Sequence, residues 1–230
     1  MHRTIIGRRT LVAQKTGKDY PGYLFVLEGI DGAGKTAVCR SVAQNLTEMG
    51  FQVAILREPT DESKWGKEIR RRSPMGELTP SEELDLFIKD RDWNIRNRLI
   101  PALKDGKIVL MDRYFFATGA YQSTSTGLHW SEILKKNREG IAAIEPDIVF
   151  ILDISAEEGL CRVTGRGCET NQQFEKHDRL VEVRKAYLEM VKSDWGNYFV
   201  IDATFPLKEV VSLVKSEIIR FMKENARKSL

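Results

Sequence analysis

Apolar residues in this chain gather in short unbroken runs, separated by longer stretches in which they recur every three or four positions. Runs at residues 23–28, 53–56, 107–111, 148–153 and 198–201 read as five strands, and their near-continuous hydrophobicity suits strands covered on both faces. Between them, helical spacing predicts helices at about 35–49, closed by Gly50, then 61–72, 80–104, 114–122, 130–143, 155–163, 177–193 and 206–226. Strand alternating with helix predicts an α/β fold, a five-stranded parallel sheet flanked by helices in three layers. The least regular stretch, Thr164 to Gln173, is rich in Gly, Arg, Asn and Gln and reads as a mobile loop. No internal repeat or low-complexity linker divides the chain.

Composition narrows the class. With 42% hydrophobic and 30% charged residues over 230 positions, the chain is an ordinary globular one, long enough for a single domain with a good core. No apolar run approaches the roughly 20 residues that cross a bilayer. The twin arginine Arg8-Arg9 is followed only by Thr-Leu-Val-Ala before polarity returns, so no export signal is expected. Residues 1–20 carry five Lys/Arg against one Asp, so +4 of the net +3 lies there and −1 remains for residues 21–230. That distribution predicts a solvated basic arm before one near-neutral domain, and no nucleic-acid-binding face. The cysteines Cys39, Cys161 and Cys168 form no paired framework, which suits a reducing cytoplasm. Cys161, Cys168 and His177 lack the close cysteine pairs of a zinc centre.

The chemistry starts at Gly29 to Thr36, GIDGAGKT, which fits G-x-x-x-x-G-K-[ST] in full. Gly29, Gly32 and Gly34 permit turns closed to other residues, so that backbone N–H groups around Asp31 and Ala33 face phosphate oxygens while the next helix adds its positive end. In this pattern Lys35 reaches the β- and γ-phosphates and Thr36 ligates Mg²⁺. The motif follows a predicted strand and opens a predicted helix, the context it needs. A second signal is KIVLMDRY, Lys107 to Tyr114, an apolar strand ending in Asp112, where open α/β sheets bind ligands and where this class of site sets a carboxylate near the metal. A nucleoside triphosphate with Mg²⁺ is the expected ligand.

Switch and transfer enzymes share that cradle. A guanine-reading Asn-Lys-x-Asp is absent, and the chain is small for a motor or transporter. Arginines stand instead where transfer between two anions needs them: Arg57 after the second strand, Arg91 on a helix, Arg113 beside Asp112, and Arg162 and Arg166 around the loop.

The ordered blocks LEGIDGAGKT, LREPTD, ELDLFIKDRDW, LIPALKDGKIVLMDRY, GAYQ, EPDIVFILDIS and YFVIDA resemble the thymidylate kinase family of P-loop nucleoside-monophosphate kinases, from about Tyr23 to about Val214. The resemblance implies ATP-dependent phosphorylation of thymidylate to its diphosphate. It implies that Asp31 contacts the sugar 3′-hydroxyl, that Phe87 stacks on thymine with Arg91 bonding the base, and that Arg113 clamps the monophosphate. Tyr121 would pack beneath the sugar and disfavour a 2′-hydroxyl, with Thr118 and Gln122 nearby and Arg57 orienting the phosphate site, Glu58 beside it. Ala203, in the turn Asp202-Ala203-Thr204, would line the adenine site. Some members place an arginine inside the phosphate loop and others in the lid; with Gly32 here, Arg162 and Arg166 would supply charge from a mobile lid at about 162–176. A homodimer formed through the helix bearing Phe87 and Arg91 is a further implication.

Three features depart from the pattern. Ala117 stands where a serine is usual, Gly119 interrupts the same helix at a cost of about 1 kcal/mol in propensity, and TDESKWG replaces a glycine-rich version, leaving Lys64 to supply a contact made elsewhere in other members. Two alternatives stay open at this point: a kinase for another or modified pyrimidine monophosphate, and a non-catalytic ATP-binding regulatory protein.

Overall fold

The computed structural model describes residues 20–164 and 171–226. Most of the basic arm, and Arg166 and Cys168 in the loop, lie outside the described residues. Among those described, no helix is long and apolar enough to cross a membrane.

All five expected strands form. They are β1 (Tyr23–Glu28), β2 (Val53–Arg57), β3 (Ile108–Asp112), β4 (Ile148–Asp153) and β5 (Tyr198–Asp202), paired in parallel in the order β2-β3-β1-β4-β5. β1 is central, flanked by β3 and β4. Its Leu24, Phe25, Val26 and Leu27 are fully enclosed, as are Val109, Leu110 and Met111 of β3 and Val149, Phe150 and Ile151 of β4. Burying each such side chain contributes about 1.5–3 kcal/mol, which is why the strand runs are apolar on both faces. Each strand nevertheless ends in a charged residue, Glu28, Arg57, Asp112, Asp153 and Asp202, and the parallel register brings those ends to one edge of the sheet.

The helices cover both faces with boundaries set by local chemistry. α1 (Lys35–Glu48) turns Val38, Cys39, Val42 and Leu46 onto the sheet. α2 (Lys64–Arg72) starts later than expected because the Ser63 hydroxyl accepts the Gly66 N–H at 2.8 Å and caps it. α3 (Pro80–Asn94) opens with a reciprocal cap between Thr79 and Glu82. The single helix expected over 80–104 is interrupted: a π-helical turn spans Ile95–Leu99 before α4 (Ile100–Lys104). Pro101 offers no N–H to the preceding turn and its ring crowds the carbonyl four residues back, so the chain widens there.

α5 (Phe115–Thr126) outruns its expected end and stops at Gly127, where φ is +73°. α6 (Trp130–Gly140) follows, then α7 (Ala156–Thr164) after β4. α8 (Asn171–Ser193) begins earlier than its periodicity suggested, taking in residues 171–173 that read as loop. α9 (Leu207–Glu224) packs beside α1. Gly119 in α5 has a packing reason: a Cβ there would meet Met190 Cε of α8 at 2.9 Å and collide with Leu134 of α6.

Candidate active site

The phosphate loop leaves the carboxyl end of β1, at the middle of the sheet. Gly32 and Gly34 take φ of +83° and +89°, a left-handed backbone that side chains resist, and Gly34 is the residue from which α1 starts. Lys35 folds back over the loop, its Nζ donating to the carbonyls of Gly29 at 3.0 Å and Ile30 at 2.8 Å. Burial, reinforced by the Arg113 charge, pushes its ammonium down to about 7. Thr36 Oγ1 donates to Asp112 Oδ2 at 2.5 Å, so the first turn of α1 and the end of β3 present two hard oxygen groups together. Such a pair fits Mg²⁺, which is held by one or two protein oxygens with phosphates and water completing its octahedron.

Beside this pair the chain turns sharply. Arg113 has a φ of +70°, and its N–H donates to the Leu27 carbonyl at 3.1 Å. Its guanidinium is ion-paired to Asp31 of the phosphate loop, donates to the Tyr121 hydroxyl at 3.4 Å, and lies 4.8 Å from the Tyr121 ring centre. Residues from the loop, the β3 exit and α5 thus meet at one point. Burial raises the Tyr121 phenol to about 12, so its hydroxyl stays protonated.

A second cluster sits deeper. Arg91 of α3 is 1% exposed; its Nε donates to Glu58 Oε2 at 2.7 Å, Nη1 to Asn137 Oδ1 at 2.6 Å and Nη2 to Thr118 Oγ1 at 2.9 Å. Glu58 also accepts from Asn94 Nδ2 at 3.1 Å, and burial raises its carboxyl against the pull of Arg91. The neighbouring Asp90 accepts from the Thr60 N–H at 2.8 Å, the Thr60 hydroxyl at 2.7 Å and the Ser63 hydroxyl. Two adjacent residues of α3 therefore hold the segment after β2 at both ends. Gln122, also buried, ties α5 to α3 through Glu83 Oε2 at 3.1 Å.

The remaining expected residues fall on the same edge of the sheet in different settings. Phe87 lies one turn before Arg91, partly exposed and outside the enclosed core. Arg57, opposite Asp112 in the β2–β3 register, is exposed with no side-chain partner among the described residues. Arg162 of α7 donates Nη1 to the Ala203 carbonyl at 3.0 Å and Nε to Glu158 at 2.7 Å. It is thus joined to the turn expected for adenine, and no hydrogen bond links it to the phosphate loop. Lys64 stacks over its neighbour Trp65, 4.9 Å from the ring.

Several residues of the site escaped sequence reasoning. Glu28 is fully enclosed and accepts from Tyr114 N at 2.8 Å, Ala117 N at 3.2 Å and Tyr187 Oη at 2.8 Å. Its signal was available, since an acid inside an apolar strand with two covered faces needs partners. Asp90, in the charged run Lys89-Asp90-Arg91-Asp92 of α3, carried no such signal. Asn137 and Gly159 carried none. A Cβ on Gly159 of α7 would come within 2.6 Å of the Asp31 carbonyl, and one on Gly32 would run into the Gly159 carbonyl, so α7 lies directly on the phosphate loop.

A family model described as thymidylate kinase matches residues 27–214. The chain is 42% identical over 199 residues to the "Probable thymidylate kinase" of Archaeoglobus fulgidus, covering 86% of this chain and 96% of that protein. It is 35% identical over 198 residues to the thymidylate kinase of Xanthomonas euvesicatoria pv. vesicatoria, covering 86% and 84%, and 35% identical over 191 residues to that of Xylella fastidiosa strain M12, covering 83% and 84%. The match runs from the strand feeding the phosphate loop, through the Arg113 turn and the Arg91 cluster, to α9, and the chain belongs to the thymidylate kinase family.

Proposed function

We propose that this protein transfers the γ-phosphoryl group of ATP to thymidylate, with Mg²⁺, giving the diphosphate and ADP. The observation that carries the reading is the Arg113–Asp31 ion pair, because it joins the phosphate loop, where the donor would lie, to the β3 exit, where an acceptor phosphate would lie. Family membership supports the same reaction.

In this reading the loop amides from Gly29 to Thr36 cradle the donor phosphates. Lys35 exchanges its two carbonyl partners for phosphate oxygens, and the incoming negative charge restores the full positive charge that burial has weakened. Thr36 and Asp112 would hold Mg²⁺, which would supply positive charge against the donor phosphates. Arg113, released from Asp31, clamps the acceptor phosphate, while Asp31 takes the sugar 3′-hydroxyl. Phe87, half-exposed, stacks on the base; Arg91 and Thr118, enclosed and bonded to each other, keep the base-contacting roles implied by the resemblance and would have to turn from their present partners to fill them. Tyr121 covers the sugar and Gln122, next to it on α5, braces that wall against Glu83 of α3. Arg57 adds positive charge to the acceptor side. Arg162 and Ala203 line the adenine, and Arg166 keeps the donor-phosphate role implied by the resemblance. Catalysis is then positioning and charge neutralisation, without a protein base. A cytoplasmic homodimer completes the proposal.

The test is ADP formation from ATP and Mg²⁺ with thymidylate, deoxyuridylate, uridylate, cytidylate, adenylate and guanylate offered in turn. Preference for thymidylate is expected. Preference for another acceptor would keep the transfer and discard the pocket roles of Phe87, Arg91 and Tyr121; no acceptor-dependent ADP would overturn the reading.

A further inference from the structure

Glu28 carries a charge-bearing side chain into the most enclosed strand of the molecule, and no step above uses it. Its Oε1 accepts the backbone N–H groups of Tyr114 and Ala117 at 2.8 and 3.2 Å, the first turn of α5. Its Oε2 accepts the Tyr187 hydroxyl of α8 at 2.8 Å. The residue immediately before Tyr114 is Arg113, held at φ +70°, a conformation rarely taken by a residue with a side chain. Something must hold that turn in place. On one side the Leu27 carbonyl takes the Arg113 N–H at 3.1 Å; on the other Glu28, the next residue along β1, takes the N–H that follows. Consecutive residues of the central strand therefore grip the Arg113 peptide from both sides.

The geometry points to Glu28 as a positioning residue for the acceptor clamp: it fixes the strained Arg113 backbone so that the guanidinium faces Asp31 and Tyr121, and links that turn to α8 through Tyr187. The inference rests on the reading of Arg113 as the group that holds the acceptor phosphate. Burial raises the Glu28 carboxyl to about 7, with the Arg113 charge opposing the rise. The amide bonds need only a carbonyl-type oxygen, so they persist in either protonation state. A glutamine can keep them and can donate its amide to the Tyr187 oxygen, whereas an alanine strips the Tyr114 N–H of its acceptor and leaves the Ala117 N–H only the Tyr114 carbonyl at 3.0 Å.

The experiment measures kcat and KM for thymidylate and for ATP separately in Glu28→Gln, Glu28→Ala, Tyr187→Phe and Arg113→Ala, with folding checked by circular dichroism. Glu28→Ala is expected to raise KM for thymidylate roughly tenfold, about 1.4 kcal/mol of binding, while KM for ATP stays within about twofold. Glu28→Gln should restore the thymidylate KM to near the parent value. Should Glu28→Ala fail to fold, Tyr187→Phe carries the test, with a rise of about threefold expected in the thymidylate KM alone. Equal rises in both KM values, no rise in either, or a Glu28→Gln variant as impaired as Glu28→Ala would overturn the assignment. An Arg113→Ala variant with unchanged thymidylate KM would instead sink the clamp on which the inference rests, and so tells the two failures apart.

Discussion

Arg91 and Glu58 face each other at 2.7 Å with side chains 1% and 3% exposed, an ion pair sealed from water between α3 and the exit of β2. Removing one partner of such a pair leaves a buried charge uncompensated, which costs about 3–5 kcal/mol. Arg91→Ala is therefore expected to lose most of the stability margin of the domain, and chemical denaturation should show it. The double variant Arg91→Met with Glu58→Gln should recover much of that loss without recovering thymidylate binding, separating the structural from the recognition role.

Lys35→Ala gives the opposite balance. Lys35 is 7% exposed and its ammonium already pays for burial, so deleting it should leave the melting temperature unchanged or slightly raised. Turnover should fall by about a hundredfold or more, the scale on which fixed positive groups act on developing charge. Undiminished turnover in a folded Lys35→Ala protein would refute the phosphate-loop chemistry.

Thr36→Val keeps the shape of the side chain and removes the hydroxyl that donates to Asp112 at 2.5 Å. The expected result is a higher Mg²⁺ concentration for half-maximal rate together with a lower kcat. A magnesium titration at saturating ATP checks it, and an unchanged midpoint would exclude Thr36 from the metal site.

Glu28 makes a pH prediction whose sign is fixed by its carboxyl, raised in the fold from 4.5 to about 7. The folded state then binds more protons than the unfolded chain between those values, so its contribution to stability is full below pH 4.5 and is lost as pH rises through 7. Lys35, lowered from 10.5 to about 7, has its effect above that window and with the opposite slope. Glu28→Gln should therefore lose less stability than the parent between about pH 5 and 7, by up to about 3 kcal/mol. Denaturant melts across that range measure the difference; parallel curves would show that Glu28 does not titrate there.

Sequence and structure agree most where the information is local. A strand buried on both faces must be apolar throughout, so β1, β3 and β4 stand out, while the edge strands β2 and β5 are only partly covered and still read as strands from their apolar runs; the phosphate loop carries its geometry in its glycines. The break at Ile95–Leu99 has a local signal in Pro101, which has no N–H to continue the helical ladder. What could not be seen were pairings across the chain. Arg91 could be set on the face of α3 that holds Phe87, but not shown to be enclosed by Glu58, Asn137 and Thr118 from three other segments. Gly119 reads in the sequence only as a helix cost because Leu134 and Met190, which need its empty space, lie on other helices.

The contact between Gly32 and Gly159 sets a rule of exclusion for this enzyme. Each glycine leaves vacant the volume that the other segment's backbone fills, so a side chain at position 32 and the present seat of α7 are alternatives that cannot coexist. Grafting an arginine at position 32, the alternative that the resemblance implies for some members, is then not a one-residue exchange. It obliges α7 to withdraw, carrying Arg162 away from the Ala203 carbonyl. A side chain at position 32 and the Arg162–Ala203 contact are therefore mutually exclusive.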